Sequence, residues 1–298
     1  MRSDRKGIVY AFLAYVLWGL FPLYWKQLDG VPATQLIGHR IIWSFIFLVA
    51  LFALRGQLAH LRTLLHNRRI VLIYGGAAVL IALNWLIFVW AVNAGYIVET
   101  SLGYFINPLL SVLLGMLVLK EQLRGWQWVA IGLATLGVGY LTLSYGRLPW
   151  IALALAGSFG VYGLVTKIAP LDALDGLTLE TGLLFIPALA FLLLEENAGR
   201  GAFGHAGLVA TLFMAGTGVV TAVPLLLFGA AARRIPLSTV GVLQYLAPTL
   251  QFLIGVLVYA EPFHRQHLIG YSCVWLALAI FWLEGWYTAR RGTLAAAQ

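Results

Sequence analysis

Long apolar blocks separated by short polar links dominate the chain. Ten such blocks can be marked, near residues 7–26, 33–54, 70–94, 97–119, 126–144, 149–166, 177–194, 207–230, 237–258 and 267–287. A helix needs about 20 apolar residues to cross a bilayer. Open strands would leave unpaired backbone groups in lipid, and the hydrophobicity does not alternate as in a barrel. The pattern therefore predicts an all-α, polytopic membrane protein with ten transmembrane helices.

Composition supports this class and removes others. Hydrophobic residues make up 61% of the chain and charged residues 10%, against about 25% charged in a soluble domain. The net charge of +8 comes from Lys and Arg in the links between blocks, which predicts membrane topology rather than nucleic-acid binding. Cys273 is the single cysteine, so neither an intramolecular disulfide nor a cysteine metal cluster is expected.

The distribution of Lys and Arg predicts the orientation. With the N-terminus inside, the inner links hold Arg2, Arg5, Lys6, Arg55, Arg62, Arg68, Arg69, Lys120, Arg124, Lys167, Arg233, Arg234, Arg290 and Arg291. The outer links hold only Lys26, Arg147, Arg200 and Arg265. This bias predicts an inner (plasma) membrane protein with both termini cytoplasmic. The run after Ile8 continues through bulky residues and is expected to be an uncleaved first helix. The link 55–69 is expected to form a helix on the inner surface.

An internal repeat appears at an offset of 140 residues. Asn107 and Pro108 align with Ala247 and Pro248, and Glu121 aligns with Glu261. The chain thus divides into repeats 1–147 and 148–298, each with five helices. Because five is odd, the second repeat is expected to enter the membrane inverted. Inverted repeats are typical of secondary transporters, whose substrate site lies between the copies.

The paired segments resemble the EamA domain of the drug/metabolite transporter superfamily. In that pattern a helix that contains proline is followed by an acidic residue, then by Leu or Phe, by Gln and by a Gly-rich helix. In the first repeat the matching residues are Pro108, Glu121, Leu123, Gln127, Gly132 and Gly137. In the second repeat they are Pro248, Glu261, Phe263 and Gly270. Ala130 and His267 depart from it. Longer strings resemble the RarD-type branch: WGLFPLYWK at 18–26, HRIIWS at 39–44, NW at 84–85, WAVN at 90–93 and RIPLST at 234–239. The resemblance implies a ten-helix, inverted 5+5 bundle around a central cavity.

Two charged residues fall inside apolar blocks, where charge is costly and often functional. Arg40 lies about seven residues into the second block. It is expected either to bind an anionic substrate group, or to snorkel outward or cap helix-end carbonyls and so hold two helices together. Its neighbour His39 is a weaker candidate. Glu180 is the counterpart of Arg40 in the repeat. It is a candidate for a coupling proton, with an interfacial gate or a structural acceptor as alternatives.

Further candidates are prolines and polar or aromatic side chains inside the blocks. Pro108 and Pro248 are predicted to break their helices near mid-membrane and act as hinges. Glu121 and Glu261 are predicted to cap the helix that follows each. Cavity-lining candidates are Trp18, Asn84, Trp85, Asn93, Tyr104, Asn107, Gln244, Tyr245 and Gln251.

Little indicates other chemistry. His264 and His267 lack a third metal ligand, and no phosphate-binding loop is present. We therefore expect no metal or cofactor and no enzymatic activity. The predicted function is a secondary transporter that exports small organic solutes such as drugs, amino acids or metabolites, with a proton as a candidate coupling ion. The alternatives are a membrane-embedded enzyme and a receptor or scaffold.

Overall fold

Helices form all the regular structure in the described residues. A computed structural model of the chain describes residues 4–94, 96–144, 146, 148–260 and 265–295. A short 3-10 turn, Lys26–Leu28, follows the second α-helix. In chain order the α-helices are α1 Arg5–Gly19, α2 Phe21–Trp25, α3 Ala33–Leu54, α4 Leu58–His66, α5 Arg68–Asn93, α6 Ile97–Leu117, α7 Gly125–Ser144, α8 Trp150–Ile168, α9 Ala173–Asn197, α10 Leu208–Ala232, α11 Leu237–Gln244, α12 Leu246–Leu257 and α13 Arg265–Ala295.

The all-helical, polytopic architecture predicted from the sequence is confirmed. Within the described ranges, nine spans are long and apolar enough to cross a membrane. One of them joins α1, α2 and the 3-10 turn, and another joins α11 and α12. The tenth predicted block lies in α13, whose described apolar stretch, Ser272–Glu284, is shorter. A tenth span therefore stays a prediction. The link 55–69 does contain a helix, α4.

Sequence signals at the helix starts explain several boundaries. The Asp4 side chain accepts a hydrogen bond from the Lys6 backbone N–H, and Asp172 accepts one from the N–H of Asp175. Such caps satisfy donors that have no partner within the helix. Proline occupies the N-cap position of α3, α8 and α11. Proline has no N–H, and no intrahelical bond is lost at these positions.

Helix packing follows the same offset as the sequence repeat. Adding 140 residues converts α1, α3 and α6 approximately into α8, α9 and the α11–α12 pair. The contact between α3 and α10 corresponds to the contact between α9 and α5. In the same way, the α1–α10 contact corresponds to the α8–α5 contact, and the α6–α8 contact corresponds to the α12–α1 contact. The contacts α3–α9, α6–α11 and α7–α13 each join two counterparts. The repeat boundary between α7 and α8 and the inverted insertion of the halves both remain predictions.

Cross-helix bonds define two ends of the bundle. At the N-terminal end, Arg234 Nη1 lies 2.9 Å from Asp4 Oδ2, and Lys167 Nζ donates to the carbonyl oxygens of Ala232 and Ile235. The hydrogen bond from Arg234 holds the pKa of Asp4 below its usual value. At the opposite end, Gln35 Nε2 donates to the carbonyl of Arg200 over 2.7 Å.

The two repeat prolines affect their helices differently. The helix α6 runs without interruption through Pro108. Its counterpart is divided at Tyr245, and Pro248 lies in the first turn of α12. Proline cannot donate to the carbonyl four residues earlier, which here belongs to Gln244, the last residue of α11. An interruption therefore occurs near Pro248, whereas α6 stays helical through Pro108, and a hinge at Pro108 stays a prediction.

Candidate functional site

Arg40 lies at the centre of an aromatic and polar cluster formed by four helical segments. Its Nε donates to Thr221 Oγ1 over 3.0 Å. Its Cζ lies 4.3 Å from the ring centroid of Trp85 and 5.3 Å from that of Trp25. A cation over an aromatic face is attracted by the negative potential of the ring, by about 0.5–2 kcal/mol. Within the part of the chain that the structure describes, Arg40 thus caps no helix-end carbonyl and lies between rings.

A close approach of α3 and α10 positions Thr221 beside Arg40. A Cβ atom added to Gly218 would lie 2.3 Å from the backbone carbon of Trp43, so only glycine fits there. One turn after Arg40, Ser44 Oγ donates to the carbonyl of Gly218 over 3.1 Å. Small residues allow membrane helices to approach closely and form such bonds. Gly218 therefore sets the position of Thr221 along the axis of α3.

Tyr104, on α6, is a further neighbour of this cluster. Its side chain keeps 39% of its accessible surface. Its hydroxyl is near enough to the Arg40 guanidinium for an electrostatic interaction, and its ring lies 5.9 Å from that of Phe88. Arg40 is half-buried, so both side chains keep accessible surface.

The charge of Arg40 is not neutralised by the described protein. No salt bridge in the described ranges involves Arg40. A guanidinium stays charged in proteins and offers five N–H donors in a planar fork. Thr221 occupies one edge of the guanidinium, and the indole rings cover its faces. The remaining N–H donors are therefore available to an anion such as a carboxylate.

Four other predicted cavity residues instead join neighbouring helices. Asn84 Nδ2 donates to the Leu155 carbonyl and to Ser158 Oγ, each over 2.9 Å. Tyr245 Oη donates to the Phe105 carbonyl over 3.1 Å. Gln251 Nε2 donates to the carbonyl of Trp18 over 3.0 Å. The Trp18 ring itself packs among Tyr15, Phe159 and Phe228. These contacts give the four residues a role in helix packing.

Asn107 and Gln244 lie on the paired helices α6 and α11 and keep unsatisfied acceptors. Their side chains are 5% and 6% exposed. Asn107 Oδ1 and Gln244 Oε1 are buried without a hydrogen-bond partner in the described residues. An unpaired buried acceptor costs about 1–3 kcal/mol. Both remain candidates for polar contacts that form when the bundle changes conformation or binds a solute.

The two remaining cavity candidates lie near the opposite end. The ring of His39 stacks on Phe203 with a centroid distance of 5.1 Å, and it does not join the Arg40 cluster. Neighbouring residues on a helix point about 100° apart, which explains why adjacent His39 and Arg40 face different surroundings. Asn93 is the last residue of α5.

Glu180 occupies a separate position on α9, near the N-terminal end. It is 3% exposed, and its Oε2 accepts a hydrogen bond from Tyr162 over 3.1 Å. Among the described contacts it forms no ion pair with Arg40. Arg40 and Glu180, the two charged residues inside apolar blocks, therefore belong to two separate sites.

Glu121 caps a helix, but not the predicted one. Its carboxylate accepts hydrogen bonds from the backbone N–H groups of Leu237 and Ser238, over 2.6 and 2.9 Å, and from Ser238 Oγ over 2.7 Å. It therefore caps α11 and not α7, which follows it. The reason is packing, because α6 lies against α11 in the other half. Glu261 and His264 lie outside the described residues, as does the side chain of His267.

Sequence reasoning missed several residues of these sites. Trp25 and Thr221 complete the Arg40 cluster, and Tyr162 contacts Glu180. Glu99 is 1% exposed and accepts from the backbone N–H of Ile151 over 2.8 Å, so it caps α8. A carboxylate in the first turn of an apolar block was a usable signal for Glu99, whereas a threonine within an apolar run carries none. Among the described residues, no group of three or more His, Cys, Asp or Glu could hold a metal ion.

Comparisons with known proteins agree with this architecture. The sequence pattern of the EamA-like transporter family matches residues 5–143. The chain is 47% identical over 283 residues to the uncharacterized transporter YojE of Bacillus subtilis, covering 94% of each chain. It is 42% identical over 290 residues to the protein RarD of Escherichia coli, covering 97% of this chain and 98% of that protein.

More distant relatives extend over the same length. The chain is 31% identical over 294 residues to the chloramphenicol-sensitive protein RarD of Pseudomonas aeruginosa, covering 97% of each. A protein of known crystal structure, 20% identical, aligns with a TM-score of 0.71 over 94% of this chain and 98% of its own. That likeness shows a shared fold across both predicted repeats.

Proposed function

The chain belongs to the EamA-like transporter family, in its RarD-like branch, and on this basis we propose that it is a secondary transporter for small organic solutes that carry an anionic group. Drugs, amino acids and metabolites all include such solutes. The observation that supports this substrate class is Arg40, which lies between aromatic rings, keeps accessible surface and has no carboxylate partner among the described residues. The solute's anionic group binds the guanidinium, and its apolar part lies against Trp25, Trp85 and Tyr104.

We propose export from the cytoplasm as the direction of net transport. The Lys and Arg bias supports placing the N-terminal end of the bundle in the cytoplasm of a cell with an inner (plasma) membrane. A negative interior drives a monovalent anion outward by about 2.3 kcal/mol per 100 mV. The break between α11 and α12 at Tyr245, next to Pro248, is the hinge we propose for the conformational change.

Flux into or out of proteoliposomes tests the proposal. We expect the purified protein to transport hippurate, an aromatic monocarboxylate, and not its neutral amide, because only the anion pairs with Arg40. An inside-negative potential should accelerate hippurate efflux. Arg40→Lys should retain part of the flux per folded molecule, since it keeps the charge but loses the planar fork. Arg40→Ala should abolish flux without lowering the melting temperature in proportion.

Three outcomes contradict the proposal. Equal flux of hippurate and its amide would remove the anion requirement. Normal flux per folded Arg40→Ala molecule would remove Arg40 from the binding site. A protein with no flux for any small organic solute, in either direction, would favour the receptor, scaffold or enzyme alternatives.

A further inference from the structure

A narrow cleft opens at the N-terminal end, away from the Arg40 cluster. It lies between α5, α8, α9 and α10, and its volume of about 10 Å³ is the size that a water molecule needs. Its polar lining consists of Tyr74, Tyr162, Thr166, Asp172, Glu180 and Arg233. Glu180 is the ionisable residue within an apolar span, whereas Asp172 and Arg233 lie at helix ends.

The carboxylate of Glu180 is only partly satisfied by the protein. Oε2 accepts from Tyr162, and no hydrogen bond of Oε1 is found among the described residues. No Lys or Arg in those ranges pairs with it. Keeping a carboxylate ionised inside an apolar span without a neighbouring cation costs free energy. Glu180 therefore needs either a proton or water, and the cleft can supply both.

The other charged groups around the cleft are engaged elsewhere. The Arg233 guanidinium donates to the Ala169 carbonyl over 2.7 Å and to the Pro170 carbonyl over 3.4 Å. Asp172 caps α9, and the Tyr74 hydroxyl exchanges hydrogen bonds with the backbone of Leu171. On α4, which also packs against α9, His60 pairs with Asp175. On α3, Arg40 and His39 contact the groups already described. Glu180 is thus the group whose charge can change within the cleft.

The cleft is the repeat counterpart of the Arg40 site. The 140-residue offset pairs Glu180 with Arg40 and Leu225 with Trp85. Trp85 contacts Arg40, and Leu225 lines the cleft with Glu180. In a transporter built from repeats, equivalent surfaces of the two halves line the paths to opposite sides of the membrane. One path therefore presents a permanent cation, and the other presents a carboxylate that a proton can neutralise.

We infer that Glu180 is a proton-operated gate on the cytoplasmic path of the transporter. The inference rests on the proposed export of anionic solutes. Ionised Glu180 repels an anion that enters from the N-terminal end, whereas a proton taken from water in the cleft converts it to a neutral acid. Proton binding and anion passage then favour each other. Export of organic anions would rise as the cytoplasm becomes more acidic.

Hippurate flux in oriented proteoliposomes tests the gate, with the pH changed separately on each side. The wild type should transport several-fold faster when the N-terminal side is acidified, and acidification of the opposite side should have a smaller effect. Glu180→Gln should transport at the high rate at every pH. Glu180→Asp should keep the pH dependence, and Glu196→Gln, a half-exposed carboxylate on the same helix, should behave as the wild type.

Infrared difference spectroscopy gives a readout that does not need transport. Wild-type protein should show a carboxylic acid C=O band that titrates with pH and is absent in Glu180→Gln. A wild-type pH dependence in folded Glu180→Gln, or no titrating band assigned to Glu180, would overturn the gate. A titrating band in a protein without hippurate flux would instead count against the proposed function and hence the gate's role in it.

Discussion

The guanidinium of Arg40 lies over the indole ring of Trp85, with Cζ 4.3 Å from the ring centroid. The two residues come from α3 and α5. In water an arginine would be hydrated, but here aromatic faces and Thr221 replace part of that hydration. This arrangement holds the charge in place without neutralising it, as a reusable anion site requires.

The Arg40–Trp85 contact predicts a measurable coupling energy. A double-mutant cycle with Arg40→Gln and Trp85→Leu should give a coupling of about 0.5–2 kcal/mol in unfolding free energy. Trp85→Leu alone should also weaken hippurate binding. Trp128, which is 54% exposed, provides the matched control, since Trp128→Leu should show no coupling to Arg40. Additive effects of Arg40→Gln and Trp85→Leu would show that the ring contributes only packing.

Because α3 and α10 are in close contact at Gly218, replacing one hydrogen atom of this glycine with a methyl group should strongly lower the stability of the protein. Gly218→Ala forces α3 and α10 apart and should cost about 1–3 kcal/mol, seen as a lower melting temperature in detergent. Gly76→Ala is the control, because an added Cβ meets nothing within 4 Å. That substitution should be neutral or slightly stabilising. Equal melting temperatures for the two variants would contradict the packing of α3 on α10.

The Glu121 cap predicts that α11 depends on a residue from the other half. Glu121→Ala removes three accepted hydrogen bonds and should cost about 1.5–3 kcal/mol. Glu121→Gln keeps one carbonyl acceptor and should cost less. Thermal unfolding measures both, and Glu196→Ala, which removes a surface pair, should change little. A Gln variant as unstable as the Ala variant would show that charge, rather than capping geometry, matters.

The orientation predicts opposite labelling of two exposed positions. In a Cys273→Ala background, a cysteine in place of Gln57 should resist an impermeant thiol reagent in intact cells. A cysteine in place of Asp29, at the other end of the bundle, should react readily. Both positions are exposed, so accessibility alone cannot explain a difference. The reverse pattern would place the N-terminal end outside the cell.

Local regularities explain how much of the fold was predictable. Block length and hydrophobicity located the helices, because every buried backbone group in lipid must be paired within its own helix. The outcome at Pro108 was not predictable in the same way, since a proline removes one hydrogen bond but neighbouring helices decide whether the helix remains continuous.

The sites were predictable only in part. Arg40, Trp85 and Tyr104 were chosen as polar or aromatic residues deep in apolar blocks, and the structure places them together. Trp18, Asn84, Tyr245 and Gln251 met the same criterion but join helices to one another. Depth within a block follows from residue number, whereas the direction of a side chain depends on how each helix is rotated against its neighbours.

The amino-acid sequence by itself determined the class of protein, the helix positions, the repeat and the presence of one cation and one carboxylate within apolar spans. These properties depend on hydrophobicity and spacing along the chain. Only the tertiary structure decided that Arg40 lacks a carboxylate partner in the described residues, that Glu180 faces a separate cleft, and that Glu121 caps α11. The Glu121 cap joins residues more than a hundred positions apart, the Glu180 cleft combines side chains from four helices, and the Arg40 result depends on the absence of a contact. Packing between helices rather than local sequence sets these distances.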